Sequence, residues 1–265
     1  MADYNDYEVF FKNAGNALKT IGALPSSYIY RFPEYEDSFI MSTGIHSTDE
    51  NWAWIKSSSY SKELLTEVIK IFESKSLKFM WPIFPEPNIQ MESDMDELGL
   101  LARTTFSAMI FDSNTDFARR PDVQGIDFRI IRVINPKDAL LWADTCWKGF
   151  TEERESPQPE IFKFAENAVL CDKLYLSLGY IENKPVGAFM LCRSQGLYIS
   201  HFSILPKLRS LGIGSLFMNE IMNYNNSIEN RFIVLLATKT GKGFYEKFGF
   251  RSIAEISIRS FSEKI

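Results

Sequence analysis

Residues 205–217 read LPKLRSLGIGSLF, a stretch built from the residue types that make phosphate sites. Gly212 and Gly214 stand one residue apart, Arg209 and Lys207 lie just upstream, and an apolar run follows. The first turn of a helix leaves backbone N–H groups unpaired and carries a partial positive charge, so it attracts anions without dedicated side chains. Glycine adds close approach and positive φ. In such a turn the N–H groups of Leu211, Gly212, Ile213, Gly214 and Ser215 would converge on one spot, with Arg209 and Lys207 adding charge. Two other phosphate patterns fail. A dinucleotide fingerprint needs a third glycine where Phe217 stands. A Walker-type loop is ruled out because Gly243 follows Gly241-Lys242 and Leu236 occupies its first glycine position. Taken alone, the turn also fits a plain strand–turn–helix connection.

The elements around the turn follow from periodicity. Residues 198–204 alternate as a strand before it. After it, Ile213, Leu216, Phe217, Ile221 and Tyr224 share one helix face. Residues 232–237 form a continuous apolar run with β-branched members, a buried strand. A helix near 243–248 and a strand at 253–261 follow. Upstream come a strand at 128–133, a helix from the Asn135-Pro136 signal to about 150, an acidic, proline-broken loop (TEERESPQP, 151–159) and a helix near 160–170. Strands at 174–181 and 185–192 are joined by Glu182-Asn183-Lys184 as a hairpin. The first half repeats part of this order, with strands at 39–45 and 77–83, helices at 61–74 and 93–98, and a strand at 100–111. The segments DELGLLARTTFSAMIF (96–111) and YEKFGFRSIAEISIRSF (245–261) share a helix, glycine stop and strand, which suggests internal duplication. Two unrelated segments with a common helix stop would read the same. Residues 112–125 are polar, carry Pro121 and Gly125, and read as a linker dividing 1–120 from 121–265.

Composition narrows the function. The chain has 265 residues, 45% of them hydrophobic, and 22 phenylalanines, enough for one large core or two modest ones. A net charge of −5 argues against a broad nucleic-acid footprint. The longest apolar runs are too short to span a bilayer, and no signal peptide opens the chain. Cys146, Cys171 and Cys192 are isolated, and with only His46 and His201 beside them a metal site is not expected. Free thiols fit a reducing, cytoplasmic setting. Trp142, Trp147, Phe150, Trp52 and Trp54 read as core or interface residues.

Arg209-x-x-Gly212-x-Gly214 after a strand ending at Ile204-x-Pro206, followed by a helix, a buried strand and FYEKFGF (244–250), resembles the GNAT acyltransferase superfamily. The resemblance covers about 127–261 at motif strength, and the first half only in element order. It implies an α/β (α+β) fold of two tandem GNAT-like domains, each a mixed, mostly antiparallel splayed sheet flanked by helices. The second domain would be catalytic and the first degenerate. It further implies that acetyl-CoA is a co-substrate whose pantetheine pairs with Phe202, Ser203 and Ile204 in the splay, its pyrophosphate resting on Leu211–Ser215. Tyr245 matches the family's general-acid position. An asparagine common before this helix is missing from ATKTG (237–241), so Thr238 is expected to serve instead. His201 lies on the strand facing the acyl site and its imidazole suits proton removal. Strict alternation, however, places it opposite Tyr198, Ser200 and Phe202 unless a bulge re-aims it. Glu152, Glu153 and Glu155, in the loop that borders the acceptor in this family, would attract an amine or accept its proton. They also fit an ordinary solvated loop. In the first half KSSSYSK (56–62) occupies the phosphate-loop slot without glycine, so no pyrophosphate is expected there. Because the second half ends after one strand where family members continue to another, the first half is expected to complete the sheet or cover the site.

The implied activity is transfer of acetyl from acetyl-CoA to a primary amine on a small molecule or peptide, by a monomer or homodimer. A CoA-binding sensor without turnover, or a structural module, are the competing readings.

Overall fold

The computed structural model describes residues 4–35, 37–85, 88–114 and 127–261. Its second half runs β6 (Phe128–Arg132), α4 (Pro136–Phe150), α5 (Pro159–Ala168), β7 (Leu174–Ile181), β8 (Lys184–Arg193), β9 (Leu197–Ile204), α6 (Ile213–Ser227), β10 (Phe232–Thr238), α7 (Lys242–Glu246) and β11 (Arg251–Phe261). Local chemistry sets these limits. The Asn135 side chain accepts the Asp138 N–H, and Pro136, which has no N–H, opens α4 and leaves one fewer donor unpaired. Glu182 and Asn183, at φ 48° and 64°, form the two-residue turn that matches strand twist between β7 and β8.

The first half contains α1 (Tyr4–Gly22), β1 (Tyr28–Arg31), β2 (Phe39–Ser42), β3 (Asn51–Trp54), α2 (Lys62–Ser74), β4 (Trp81–Ile83), α3 (Ile89–Glu97) and β5 (Leu100–Asp112). Sequence reading assigns nothing before residue 39 and misses α1, whose buried stripe includes the small residues Ala14, Gly15 and Ala17. A Cβ on Gly15 would lie 3.1 Å from Trp54 Nε1, so the small residues let the helix settle on the indole. The strand expected at 77–83 shrinks to Trp81–Ile83. It lies at a sheet edge, where the missing N–H of Pro82 is tolerated.

Strands β1-β2-β3 form one sheet, and the other has the order β4-β11-β5-β10-β9-β8-β7-β6. This order reads symmetrically about its centre. β5 and β11, each following a glycine at positive φ (Gly99 78°, Gly249 84°), pair antiparallel with each other. Outside them lie β10 on one side and β4 on the other. Beyond these, β9 meets β10 through a short parallel contact, and β3 meets β4 through a parallel bridge at Trp52–Met80. The helix–glycine–strand duplication is therefore also a spatial one. Each half lends its last strand to the other, and β5 completes the sheet of the second half, as expected. The sheet crosses the 120/121 division, which itself lies outside the described residues.

The core is shared as well. Phe10 and Trp54 from the first half cluster with Trp142, Phe164 and Val234 from the second. Each such aromatic contributes about 1.5–3 kcal/mol on burial, so the halves are held by apolar area rather than by a hinge. Buried Arg259 of β11 adds a polar clamp, donating to Asp96 (2.6 Å), Glu92 (2.8 Å) and the Leu100 carbonyl (3.2 Å).

Candidate active site

β9 and β10 pair only at Leu197–Ile233 and Tyr198–Val234 and then diverge, leaving β9 without a strand partner on that edge as far as Ile204. The gap is bounded by Phe202, whose ring packs against Phe217, Phe244 and Tyr245. At its end the chain turns through Ser210 (φ 65°) into Gly212 (φ 85°, ψ −7°), the N-cap of α6. Ser215 N–H is taken by the Gly212 carbonyl at 2.9 Å. The N–H groups of Leu211, Gly212, Ile213 and Gly214 have no partner among the described residues. Four of the five expected donors are thus presented, and this turn suits a pyrophosphate. A Cβ at Gly214 would lie 3.2 Å from the Phe244 ring, so a larger residue there would have to push that ring aside.

Arg209 is placed differently from the expectation. Its guanidinium donates to the Gly149 carbonyl (2.6 Å), the Ile204 carbonyl (3.2 Å) and Glu152 Oε1 (3.2 Å). It ties the glycine turn to the acceptor loop instead of pointing at the helix start. Lys207 is exposed. Thr238 closes the turn before α7 by accepting the Gly241 N–H at 3.2 Å.

Tyr245 lies beside the gap, among Phe202, Phe244 and Phe250, and its hydroxyl makes no hydrogen bond among the described residues. Burial, and secondarily neighbouring Tyr198, pushes the phenol well above its ordinary pKa. The group keeps its proton at every physiological pH.

A bulge re-aims His201. Met190 pairs with Ser200 and Ala188 with Ser203, so His201 and Phe202 together oppose Phe189. His201 takes φ 51°, a left-handed conformation unusual for a side-chain-bearing residue. Alternation alone would keep His201 away from Tyr198 and Ser200. The bulge brings all three to one cavity and sends Phe202 to the opposite face. His201 Nε2 lies 3.1 Å from Glu50 Oε1, and Nδ1 lies 2.7 Å from Ser200 Oγ. A carboxylate only accepts, so Nε2 carries the proton and Nδ1 accepts from the Ser200 hydroxyl. Trp142, Phe150 and Phe164 surround the imidazole with ring centroids 5.6–6.1 Å away. Sequence reading missed both Glu50 and Ser200. Only the hydroxyl beside His201 was a local signal; Glu50 is 151 residues away.

The cavity, about 330 Å³, lies between the halves. Trp52, Asp49 and Glu50 line it from the first half, and Trp147, Phe150 and Glu155 from the second. Of the acidic loop, Glu155 reaches this lining. Glu152 pairs with Arg209 and Arg154, and Glu153 is exposed. His46 N–H donates to Gln158 Oε1 (2.9 Å), so the first half also grips the loop. Buried Cys146 and Cys192 are poor nucleophiles, the latter thiol pushed up to about 12 by burial. Among the described residues no cluster suits a metal ion. No described helix is long and apolar enough to cross a membrane.

The corresponding slot of the first half is filled by its own side chains. Ser61 Oγ accepts the Leu64 N–H at the start of α2, and Asp94 accepts from Tyr60 and Lys62 nearby. A capping hydroxyl and a carboxylate oppose phosphate there.

The splayed sheet, the free N–H groups at the start of α6 and the half-buried Tyr245 beside the gap are brought together at one place. Residues 155–260 match the model of the acetyltransferase (GNAT) domain family. That match lies in the C-terminal part of the chain, and the remainder is compared by fold alone. Solved structures share the fold across most of the chain. A tandem GNAT protein from the clavulanic acid biosynthesis pathway is 10% identical, with TM-score 0.56 over 98% of this chain and 96% of its own. A GCN5-related N-acetyltransferase from Kribbella flavida is 10% identical, with TM-score 0.57 over 85% and 87%. Another from Sphaerobacter thermophilus is 10% identical, with TM-score 0.58 over 84% and 76%. No curated protein matches the chain.

Proposed function

We propose that the protein is an N-acetyltransferase that moves acetyl from acetyl-CoA to a primary amine, with the catalytic site in the half after residue 120. The observation that carries this reading is the parting of β9 from β10 between the glycine turn and Tyr245. The N–H groups of Leu211–Gly214 would hold the pyrophosphate, and the free edge of Phe202–Ile204 would pair with the pantetheine as an added strand. The thioester carbonyl then lies in the gap, with the cavity of His201 on one side and Tyr245 on the other.

The amine arrives protonated and loses one proton to Ser200 Oγ, whose own proton passes to His201 Nδ1. Glu50, a positioning residue, holds the imidazolium through Nε2. The neutral amine attacks the carbonyl carbon, the C–N bond forms, and the β9 N–H groups near Ile204 stabilise the oxyanion. The C–S bond breaks and the thiolate takes the Tyr245 proton. Solvent re-protonates Tyr245 as the second amine proton leaves, giving amide, free CoA thiol and one proton. The high pKa of the inert thiols favours this direct transfer over a cysteine acyl-enzyme.

Thermal melting with acetyl-CoA tests the binding step, because a ligand selective for the folded state raises stability by mass action. No shift at saturating acetyl-CoA or longer acyl-CoAs would reject the reading. A shift without thiol release for any amine would instead indicate a CoA-binding sensor.

A further inference from the structure

The cavity beside His201 has a charge pattern that selects its occupant. Its lining holds three carboxylates, Asp49, Glu50 and Glu155, and no lysine or arginine among the described residues. Nearby cations are engaged elsewhere: Arg154 and Arg209 with Glu152, and Lys148 with Asp144. Trp52, Trp147 and Phe150 supply flat apolar walls. Trp147 is 5% exposed, and its indole N–H has no partner. That N–H is itself shielded from solvent, so the ring rather than the N–H is what Trp147 offers the cavity. Loss of water, and then the Glu50 charge, raise the Asp49 carboxyl above its ordinary value, a strain a cation would relieve.

Resting on the acetyltransferase reading, we infer that the acceptor is a cationic amine without a carboxylate. Its body is apolar or aromatic. The ammonium would sit among Asp49, Glu50 and Glu155, with its body against Trp52, Trp147 and Phe150. A free amino acid would bring a fourth carboxylate into the same cavity, where no lysine or arginine receives it and the imidazole is already held by Glu50.

Matched pairs that differ only in the carboxylate test this: tyramine against tyrosine, and tryptamine against tryptophan. Melting shifts are measured with each compound alone, and thiol release is measured with acetyl-CoA present. The decarboxylated member should shift melting where the amino acid does not, and exceed it in kcat/KM by at least about tenfold, as like-charge crowding demands. The double variant Asp49→Asn/Glu155→Gln should bring the amine-to-amino-acid ratio towards one while keeping the acetyl-CoA melting shift. Equal or better use of the amino acids, or no melting shift with either amine, overturns the inference even if acetyl-CoA binds. An amine shift without an acetyl-CoA shift would overturn the acetyltransferase reading instead.

Discussion

A phenol can protonate a leaving thiolate only while it keeps its own proton, and the surroundings of Tyr245 secure that. Tyr245→Phe should lower kcat about 100-fold, the usual range for loss of a general acid. The acetyl-CoA melting shift should stay within error, and an equal loss in both would assign the ring to packing alone. Ser200, His201 and Glu50 make a second residue-scale case. Left-handed φ at a histidine costs on the order of 1–3 kcal/mol and persists where the surroundings over-determine it. Here the bulge, the Glu50 contact and the aromatic walls do so. Ser200→Ala should lower kcat roughly tenfold, and Glu50→Gln should lower kcat while the acetyl-CoA melting shift stays within error. A lowered melting temperature with unchanged kcat would leave Glu50 a structural role only.

At the scale of elements, the cradle depends on backbone conformation. Gly212 at φ 85° admits no Cβ without strain, so Gly212→Ala should cost about 1–2 kcal/mol. It should also weaken acetyl-CoA binding, read as a reduced melting shift at fixed ligand concentration; an unchanged shift would place the pyrophosphate elsewhere. The clamp between β11 and α3 is a separate element-scale device. Glu92 and Asp96 regain water when released, so Arg259→Met should cost about 1–3 kcal/mol, in the range of charged hydrogen bonds. Urea unfolding would measure it, and turnover per folded molecule should not change.

For the whole molecule, the exchange of terminal strands means the halves do not separate. Removing residues 1–120 strips β5 from between β10 and β11 and uncovers the apolar face under α1. The remainder should be insoluble or molten by circular dichroism, and a soluble, fully active fragment would contradict the shared sheet. Burial also raises the phenols of Tyr28, to about 12, and of Tyr60, Tyr198 and Tyr245 still further. Unfolded tyrosine ionises near ~10, so the unfolded chain sheds protons that the folded chain keeps. Stability is therefore fully present below about pH 10 and should fall as pH climbs towards 12. Melting temperature against pH checks it.

Local order was enough to read the second half from its sequence. Helix α4 begins at its Asn-Pro cap, the β7–β8 hairpin at its turn, and the cradle at Arg209-x-x-Gly212-x-Gly214, because caps, turns and periodicity act over a few residues. The same holds for the twin helix–glycine–strand segments. The chain could not disclose that those segments pair with each other, since strand exchange depends on contacts about 150 residues apart. Nor could it show that Arg209 turns to Glu152, that a bulge swings His201 beside Ser200, or that Glu50 reaches the imidazole from the other half. The free backbone donors of the glycine turn are written in a contiguous motif. The cavity of Ser200, His201 and Glu50 arises only where two distant segments meet, and folding alone brings them together.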